Sequence, residues 1–220
     1  MEEALEKLDA FFNPRAVAVI GATKKVDKAG HVIFKNFSTS KLRGVFKGEL
    51  YPVNPNEDSI LGFKCYKSLS DIPSDVDLIV IIVPATVVPS VMEEAGAKHV
   101  KACVIISAGF KEVGNVELEE QVVAIAKKYG IRVLGPNCLG VYYSRTGVDT
   151  LFLPETKTLT TGDEVVATFL PDRREIEAHV ENSNMSPYLH PDSGGTEYPD
   201  GRTEVPRGGG SRPGRAGWSK

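Results

Sequence analysis

The chain has 220 residues, of which 41% are hydrophobic and 25% charged, a balance typical of a soluble globular protein. Its net charge of −3 and its pI of about 5.9 argue against a nucleic-acid partner, which usually needs a basic surface. No apolar run approaches the ~20 residues of a membrane span, and the acidic N-terminus lacks the basic start of a signal peptide. We therefore expect a cytoplasmic protein with no membrane partner. The three cysteines, Cys65, Cys103 and Cys138, are far apart and predict neither a disulfide framework nor a metal site.

Helical and strand patterns alternate along the first 155 residues. A short amphipathic helix is predicted over residues 3–12, with Leu5, Leu8, Phe11 and Phe12 on one side, and it ends at Asn13-Pro14. Apolar runs then predict five buried parallel strands, at residues 16–22, 48–53, 78–83, 102–107 and 131–135. The helices predicted between them cover residues 29–40, 87–98 and 116–129. This order predicts an α/β fold, a Rossmann-like doubly wound parallel sheet with helices on both faces.

The composition changes near residue 157. Residues 1–157 contain 15 Lys and 4 Arg, whereas residues 158–220 contain 1 Lys and 6 Arg. Gly and Pro make up 14 of the last 50 residues, and few large apolar residues remain to offset chain entropy. We therefore divide the chain into a domain over residues 1–155 and a disordered or non-native C-terminal tail over residues 156–220. A reading-frame shift near Thr156–Thr160 is the favoured explanation, because purine-rich Lys and Glu codons read out of frame become Arg and Gly codons. A natural disordered tail is the alternative.

Ligands of doubly wound folds bind outside the carboxyl ends of the strands, so the residues that follow each strand carry the functional information. Gly21 follows the first strand, where it allows close approach of a phosphate to a helix N-terminus, although packing alone also explains a single glycine there. The full G-x-G-x-x-G motif is absent, because Thr23 and Val26 occupy its second and third glycine positions. The second strand ends in Asn54-Pro55 rather than in the acid of a dinucleotide site, so NAD is not the first choice of ligand.

Lysines surround the predicted phosphate site. Lys24, Lys25 and Lys28 would attract a polyanionic ligand, although a solvated loop explains at least one of them. Ser107 has no histidine at a suitable spacing, which argues against a nucleophilic serine. Cys138 follows the fifth strand, where a buried packing role is favoured over a reactive thiol. No catalytic residue and no metal ligand is predicted.

Five segments, in order and in register, resemble the CoA-binding domain of the succinyl-CoA synthetase α-subunit superfamily of nucleoside-diphosphate-forming acyl-CoA synthetases. They are AVAVIGAT (16–23), YPVNP (51–55), CYKSLSDIPSDVDLIVIIVPA (65–85), VIISAGFKEVG (104–114) and GIRVLGPNCLG (130–140). The likeness is greatest to the α-part of archaeal ADP-forming acetyl-CoA synthetases and covers about residues 5–155. It implies coenzyme A as the ligand, and an ATP-grasp β-part as a partner.

The resemblance also implies a set of CoA-binding residues. The CoA phosphates would lie in the loop from Gly21 to Gly30, which includes Ala22, Thr23, Lys24, Lys25 and Lys28. The adenosine would contact Val53, Asn54 and Pro55, with Val83, Pro84 and Ala85 nearby. Ser107, Ala108 and Gly109 would flank the pantetheine, and Asn137, Cys138 and Gly140 would lie near its thiol end.

The chain departs from the family pattern in three ways. The succinyl-CoA synthetase branch has a Lys two residues after the matching Pro, where this chain has Glu57. Nothing after Glu155 resembles the next domain, which carries the phosphohistidine, and the ATP-grasp part is missing. We therefore expect the CoA-binding part of an ADP-forming acyl-CoA synthetase, truncated and inactive alone. A stand-alone CoA-binding protein and an NAD(H)-binding redox regulator are the alternatives.

Overall fold

The computed structural model describes residues 7–152 and the backbone of three short strands, Glu164–Ala167, Thr196–Glu197 and Thr203–Glu204. The rest of the predicted tail over residues 156–220 lies outside the described residues. The chain divides into two units, residues 1–183 and 184–220. In the second unit, the two-residue strands pair antiparallel with each other.

Twelve strands occur in chain order. They are β1 (Ala16–Ile20), β2 (Glu49–Val53), β3 (Ser59–Ile60), β4 (Phe63–Lys64), β5 (Leu78–Ile81), β6 (Ala102–Ile105), β7 (Arg132–Leu134), β8 (Gly140–Tyr143), β9 (Val148–Asp149), β10 (Glu164–Ala167), β11 (Thr196–Glu197) and β12 (Thr203–Glu204). Five of them form one sheet in the order β2-β1-β5-β6-β7, and every pair in it is parallel. The predicted doubly wound parallel sheet is confirmed.

Three helices cover the two faces of this sheet: α1 (Ala29–Leu42), α2 (Val88–Ala97) and α3 (Val116–Tyr129). Successive side chains of a strand point to opposite faces, and the core divides accordingly. Val17 and Val19 of β1 pack with the α1 side chains, whereas Ala18 and Ile20 pack with α2 and α3. Because both faces are covered, β1 is buried along its whole length, as its apolar run predicts.

The helix predicted over residues 3–12 differs from the structure. Only residues 7–9 of the described segment are helical, and residues 3–6 lie outside it. The Asp9 carbonyl accepts from the N–H groups of Phe12 and Asn13, so the chain turns early. Phe11 is buried, but Leu8 is 44% exposed and does not share its face.

Two short hairpins were missed by the sequence patterns. β3 and β4 pair antiparallel around Leu61 and Gly62, and β8 pairs with β9. Runs of two residues are too short to show a strand period. β10 adds to β8 on the other side, so regular backbone continues past residue 155. None of the described helices is both long and apolar enough to cross a membrane.

Candidate functional site

The strand order reverses between β1 and β5, because β2 lies on one side of β1 and all later sheet strands lie on the other. In open α/β sheets, ligands bind in the crevice that such a reversal opens at the carboxyl ends of the strands. Gly21 follows β1, and the segment that ends in Val83 follows β5. The fold therefore brings these two predicted site segments to the two sides of one crevice.

Two glycines hold the first side of the crevice together. A side chain on Gly21 would overlap the Ile82 carbonyl, and one on Gly30 would overlap the Gly21 carbonyl. The N-terminus of α1 is therefore pressed onto the end of β1. Gly30 does the helix–strand packing that the third glycine performs in G-x-G-x-x-G, although Val26 occupies that sequence position. The loop is longer than the motif requires, and sequence spacing alone hides this equivalence.

The N-terminus of α1 is suited to an anion. Its cap residue, Lys28, makes no side-chain capping bond among the described residues, and no acid lies in the first turn. The first N–H groups of a helix carry partial positive charge and point along the axis at whatever precedes it. A phosphate group in the Gly21–Gly30 loop would meet these donors.

The three lysines of this loop differ in their partners. Lys24 Nζ lies 3.0 Å from Glu57 Oε2, and Lys28 Nζ lies 3.2 Å from Asp27 Oδ2. Lys25 is exposed and makes no ion pair with any residue in the described part of the chain. Two carboxylates therefore compensate part of the basic charge that the sequence predicts.

Thr23 shapes the same loop from inside. Its hydroxyl accepts from the Lys25 N–H at 3.3 Å, and its carbonyl oxygen lies 2.9 Å from His31 Nδ1. A carbonyl only accepts, so Nδ1 of the buried His31 carries the proton. His31 thus supports the loop from the first turn of α1, where the sequence places it.

Asn54 ties the end of β2 to this loop. Its Nδ2 donates to the Ala22 carbonyl at 2.8 Å, and its Oδ1 accepts from the Asn56 N–H at 2.9 Å. The Gly21 N–H also donates to the Val53 carbonyl at 2.9 Å. The side chain of Asn54 is thus engaged in positioning the loop, while Pro55 stays exposed at the rim.

Ser107 joins the ends of β5 and β6. Its hydroxyl donates to the Val83 carbonyl at 2.6 Å and accepts from the Val83 N–H at 3.1 Å. Gly109 lies next to Ala85, since a side chain added to it would come within 3.0 Å of the Ala85 Cβ. The segments 83–85 and 107–109 therefore form one continuous edge of the crevice, with Pro84 and Ala108 exposed along it.

Glu112 is a feature of this edge that the sequence analysis did not single out. Its carboxylate accepts from the N–H groups of Gly109 and Phe110. Burial raises the pKa of Glu112, but these backbone hydrogen bonds outweigh burial and hold the pKa below its ordinary value. The three-residue spacing from Gly109 to Glu112 is that of a capping box and could have indicated this contact.

The segment after β7 joins the edge through its backbone. The Asn137 N–H donates to the Ser107 carbonyl at 3.0 Å. Cys138 is 4% exposed, its thiol donates to the Ile105 carbonyl at 3.3 Å, and burial raises its pKa to about 12. The thiol stays protonated at neutral pH, which suits packing rather than nucleophilic attack.

Gly140 lies in the small antiparallel sheet, at the start of β8. A side chain there would overlap the Thr150 hydroxyl, which accepts from the Val141 N–H at 2.7 Å. The described surroundings of Gly140 are therefore those of a packing position against the fully buried Thr150.

A surface cavity of about 640 Å³ lies elsewhere, between α2 and α3, where Pro89, Leu118 and Ile125 contribute to its lining. None of the predicted site residues lines it. Within the described residues, no three His, Cys, Asp or Glu side chains are grouped so as to hold a metal ion.

Comparisons with known proteins agree with the resemblance found in the sequence. The family model described as a CoA binding domain matches residues 15–144. The acetate–CoA ligase (ADP-forming) of Methanocaldococcus jannaschii is 50% identical over 139 residues, which are 63% of this chain and 19% of that protein. The α subunit of acetate–CoA ligase (ADP-forming) I of Pyrococcus furiosus is 47% identical over 153 residues, 67% of this chain and 32% of the subunit.

A solved structure gives the same result. The dinucleotide-forming acetyl-coenzyme A synthetase 1 of Candidatus Korarchaeum cryptofilum, in complex with phosphate and ADP, matches with a TM-score of 0.65 and 44% identity. The match covers 70% of this chain and 32% of that one. The chain thus spans between about a fifth and a third of the length of these relatives.

Proposed function

The chain belongs to the CoA-binding domain family, and on that premise we propose that the crevice between β1 and β5 binds coenzyme A. One observation carries this proposal. The reversal of strand order, where α/β folds bind their ligands, coincides with the glycine-tightened loop at the N-terminus of α1. Both lie inside the segment that matches the family.

The proposed ligand extends along the carboxyl edge of the sheet. Its phosphates would lie in the Gly21–Gly30 loop, close to the first N–H groups of α1 and to the exposed Lys25. Its adenosine would lie beside the segment 53–55, and its pantetheine would run along the edge formed by the segments 83–85 and 107–109. The thiol would then lie towards Asn137. The hydrogen bonds of Asn54 and Ser107 support this assignment by fixing the walls before a ligand arrives.

The relatives are ligases by name, and we propose that this chain supplies the CoA-binding part of an ADP-forming acyl-CoA synthetase. The complete reaction would be acyl-CoA + ADP + phosphate ⇌ carboxylic acid + CoA + ATP. The described residues hold the CoA end of this reaction and offer no nucleophile beside a base, because His31 is turned to a carbonyl and Cys138 is buried. A phosphohistidine segment and an ATP-grasp partner would supply the remaining chemistry.

An NAD(H) site is the second candidate, because the carboxylate of Glu57 lies beside the phosphate loop through its contact with Lys24. Dinucleotide sites use an acid at the end of the second strand to bind ribose hydroxyls. The missing G-x-G-x-x-G and the lysine-rich loop favour CoA over this alternative.

Titration calorimetry with CoA, acetyl-CoA and NADH tests the proposal. We expect CoA and acetyl-CoA to bind and NADH to give no heat. Lys25→Gln should raise the Kd for CoA by about threefold to tenfold, since it removes one charge near the phosphates. Lys47→Gln is the matched control, because it removes the same charge from an exposed position on the connection between α1 and β2. Binding of NADH without binding of CoA would overturn the proposal in favour of the redox regulator.

A further inference from the structure

An ion pair joins the two loops that follow β1 and β2. Lys24 Nζ lies 3.0 Å from Glu57 Oε2, and the Glu57 side chain is only 19% exposed, against 59% for Lys24. Beneath this pair, Asn54 Nδ2 donates to the Ala22 carbonyl at 2.8 Å. The carboxylate of Glu57 is therefore held beside the phosphate loop rather than free in solvent.

An acid and a cation have opposite effects at the ribose of a bound nucleotide. In α/β nucleotide sites, an acid at the end of the second strand accepts from a ribose hydroxyl, whereas a cation nearby accommodates a ribose phosphate. Both groups are present at the end of β2 in this chain, and they are bound to each other. The lysine is thus not freely available to a ribose phosphate.

Coenzyme A carries a phosphate on its ribose, with a charge of about −1.5 to −2 at neutral pH. That phosphate would either be repelled by Glu57 or draw Lys24 away from it, leaving a largely buried carboxylate without its cation. Lys67, the other lysine of this turn, bonds to the Glu57 carbonyl at 3.1 Å and pairs with Asp58 at 2.8 Å. A ribose without the phosphate leaves all these contacts intact, and its hydroxyl can donate to Glu57.

We infer that Glu57 determines the specificity of the site for the ribose: by retaining Lys24, it lets the site bind CoA and dephospho-CoA with similar affinity. The inference rests on the proposed binding of CoA and adds to it the residue that sets the selectivity for the 3′-phosphate. It assigns to Lys24 a structural partner and leaves Lys25 and the α1 N-terminus to the pyrophosphate.

The test compares CoA with dephospho-CoA by titration calorimetry on the 220-residue chain at constant ionic strength. For the unmodified chain, the ratio of the Kd for dephospho-CoA to the Kd for CoA should stay below about tenfold. Glu57→Gln keeps the shape but releases Lys24, so this ratio should rise by about tenfold, mainly through tighter CoA binding. Asp58→Asn is the matched control, because it removes the same charge one position away from a side chain that is 97% exposed. Its ratio should stay unchanged.

Each outcome decides between the two statements. A ratio above about a hundredfold in the unmodified chain, or a ratio that Glu57→Gln leaves unchanged while CoA still binds, would overturn the role of Glu57 alone. Absence of binding by both ligands, with thermal melting showing a folded chain, would overturn the proposed function and this inference together. Equal shifts with Glu57→Gln and Asp58→Asn would reduce the effect to net charge and would also overturn it.

Discussion

Ser107 illustrates how a single hydroxyl can shape a binding site without pointing at the ligand. Its one donor and its acceptor capacity are both directed at the Val83 backbone. The residue is 8% exposed, so water cannot readily replace either bond. The hydroxyl therefore sets the distance between the ends of β5 and β6, along which the pantetheine is proposed to lie.

Ser107→Ala should lower the free energy of unfolding by about 1–2 kcal/mol, because the Val83 N–H and carbonyl both lose a partner. The Kd for CoA should rise at the same time, since the crevice edge loses its anchor. Urea unfolding and calorimetry measure the two effects. Ser90→Ala is the control, because the exposed Ser90 hydroxyl bonds only to the Val87 carbonyl within its own turn of helix. Stability equal to that of the unmodified chain would contradict the role given to Ser107.

Side-chain partners in the loops were the least predictable part of the site. The sequence indicated that Lys24, Lys25 and Lys28 form a basic loop, and all three lie there. It did not indicate which of them meets a carboxylate, because Lys24 and Glu57 are 33 positions apart in the chain and meet only when β1 and β2 pair. Loop contacts of this kind depend on the register of neighbouring strands, which no local pattern contains.

At the scale of elements, the packing of α1 against the end of β1 organises the crevice. Gly30 allows this approach because it leaves room for the Gly21 carbonyl. The helix then presents its uncapped N-terminus to the loop, so the anion-binding donors and the sheet edge belong to one rigid junction.

Gly30→Ala should disturb this junction. The added methyl group would overlap the Gly21 carbonyl, so α1 has to move outwards, at a cost of about 1–3 kcal/mol in unfolding free energy. CoA binding should weaken more than tenfold, because the N–H groups of the first turn move with the helix. Calorimetry on protein that melts cooperatively measures this.

Gly62→Ala provides the control for that change. Gly62 adopts a φ of +84° with no atom within 4 Å of an added side chain, so the substitution strains the β3–β4 turn without a clash. It should cost a comparable amount of stability and leave the Kd for CoA unchanged. If both variants weakened CoA binding equally, general destabilisation rather than the position of α1 would be responsible.

Element types and approximate bounds follow from the sequence, whereas their arrangement does not. The run Ala16–Ile20 is apolar on both faces and identifies a buried parallel strand, and the spacing in Val116–Tyr129 identifies a helix closed by Gly130. The reversal of strand order between β1 and β5 arises from long-range pairing, and only the fold reveals it. The segment at residues 7–13 was predicted less well, because a turn closed by Asp9 replaces the continuous helix.

For the molecule as a whole, the two edges of the sheet perform different tasks. The carboxyl edge carries the flexible-partner chemistry of the proposed site, with lysines and open N–H groups. The amino edge is closed by Asp77, whose carboxylate accepts from the backbone N–H and the guanidinium of Arg15 at 2.9–3.0 Å and lies 3.5 Å from Lys101 Nζ. These contacts join the starts of β1, β5 and β6 in a region that contributes no predicted ligand contact.

Asp77 should also make global stability depend on pH. Burial raises the pKa of Asp77, but the hydrogen bonds and charge of Arg15, with Lys101, outweigh burial and hold the pKa below its ordinary value. A carboxylate whose pKa is lower in the folded chain stabilises the fold above its unfolded pKa of about 3.9. That contribution is lost as the pH falls through the folded pKa, because the protonated acid cannot pair with Arg15.

Asp77→Asn should therefore lower the unfolding free energy at pH 7 by about 1–3 kcal/mol, since charged hydrogen bonds become neutral ones. The difference from the unmodified chain should narrow as the pH is lowered below about 4, where both proteins present an uncharged group. Urea unfolding followed by circular dichroism between pH 3 and pH 7 measures the difference. Asp75→Asn removes the same charge from an exposed position two residues earlier and should change neither the stability nor its pH dependence. A constant difference across the pH range would show that packing, rather than the charge of Asp77, holds the amino edge of the sheet together.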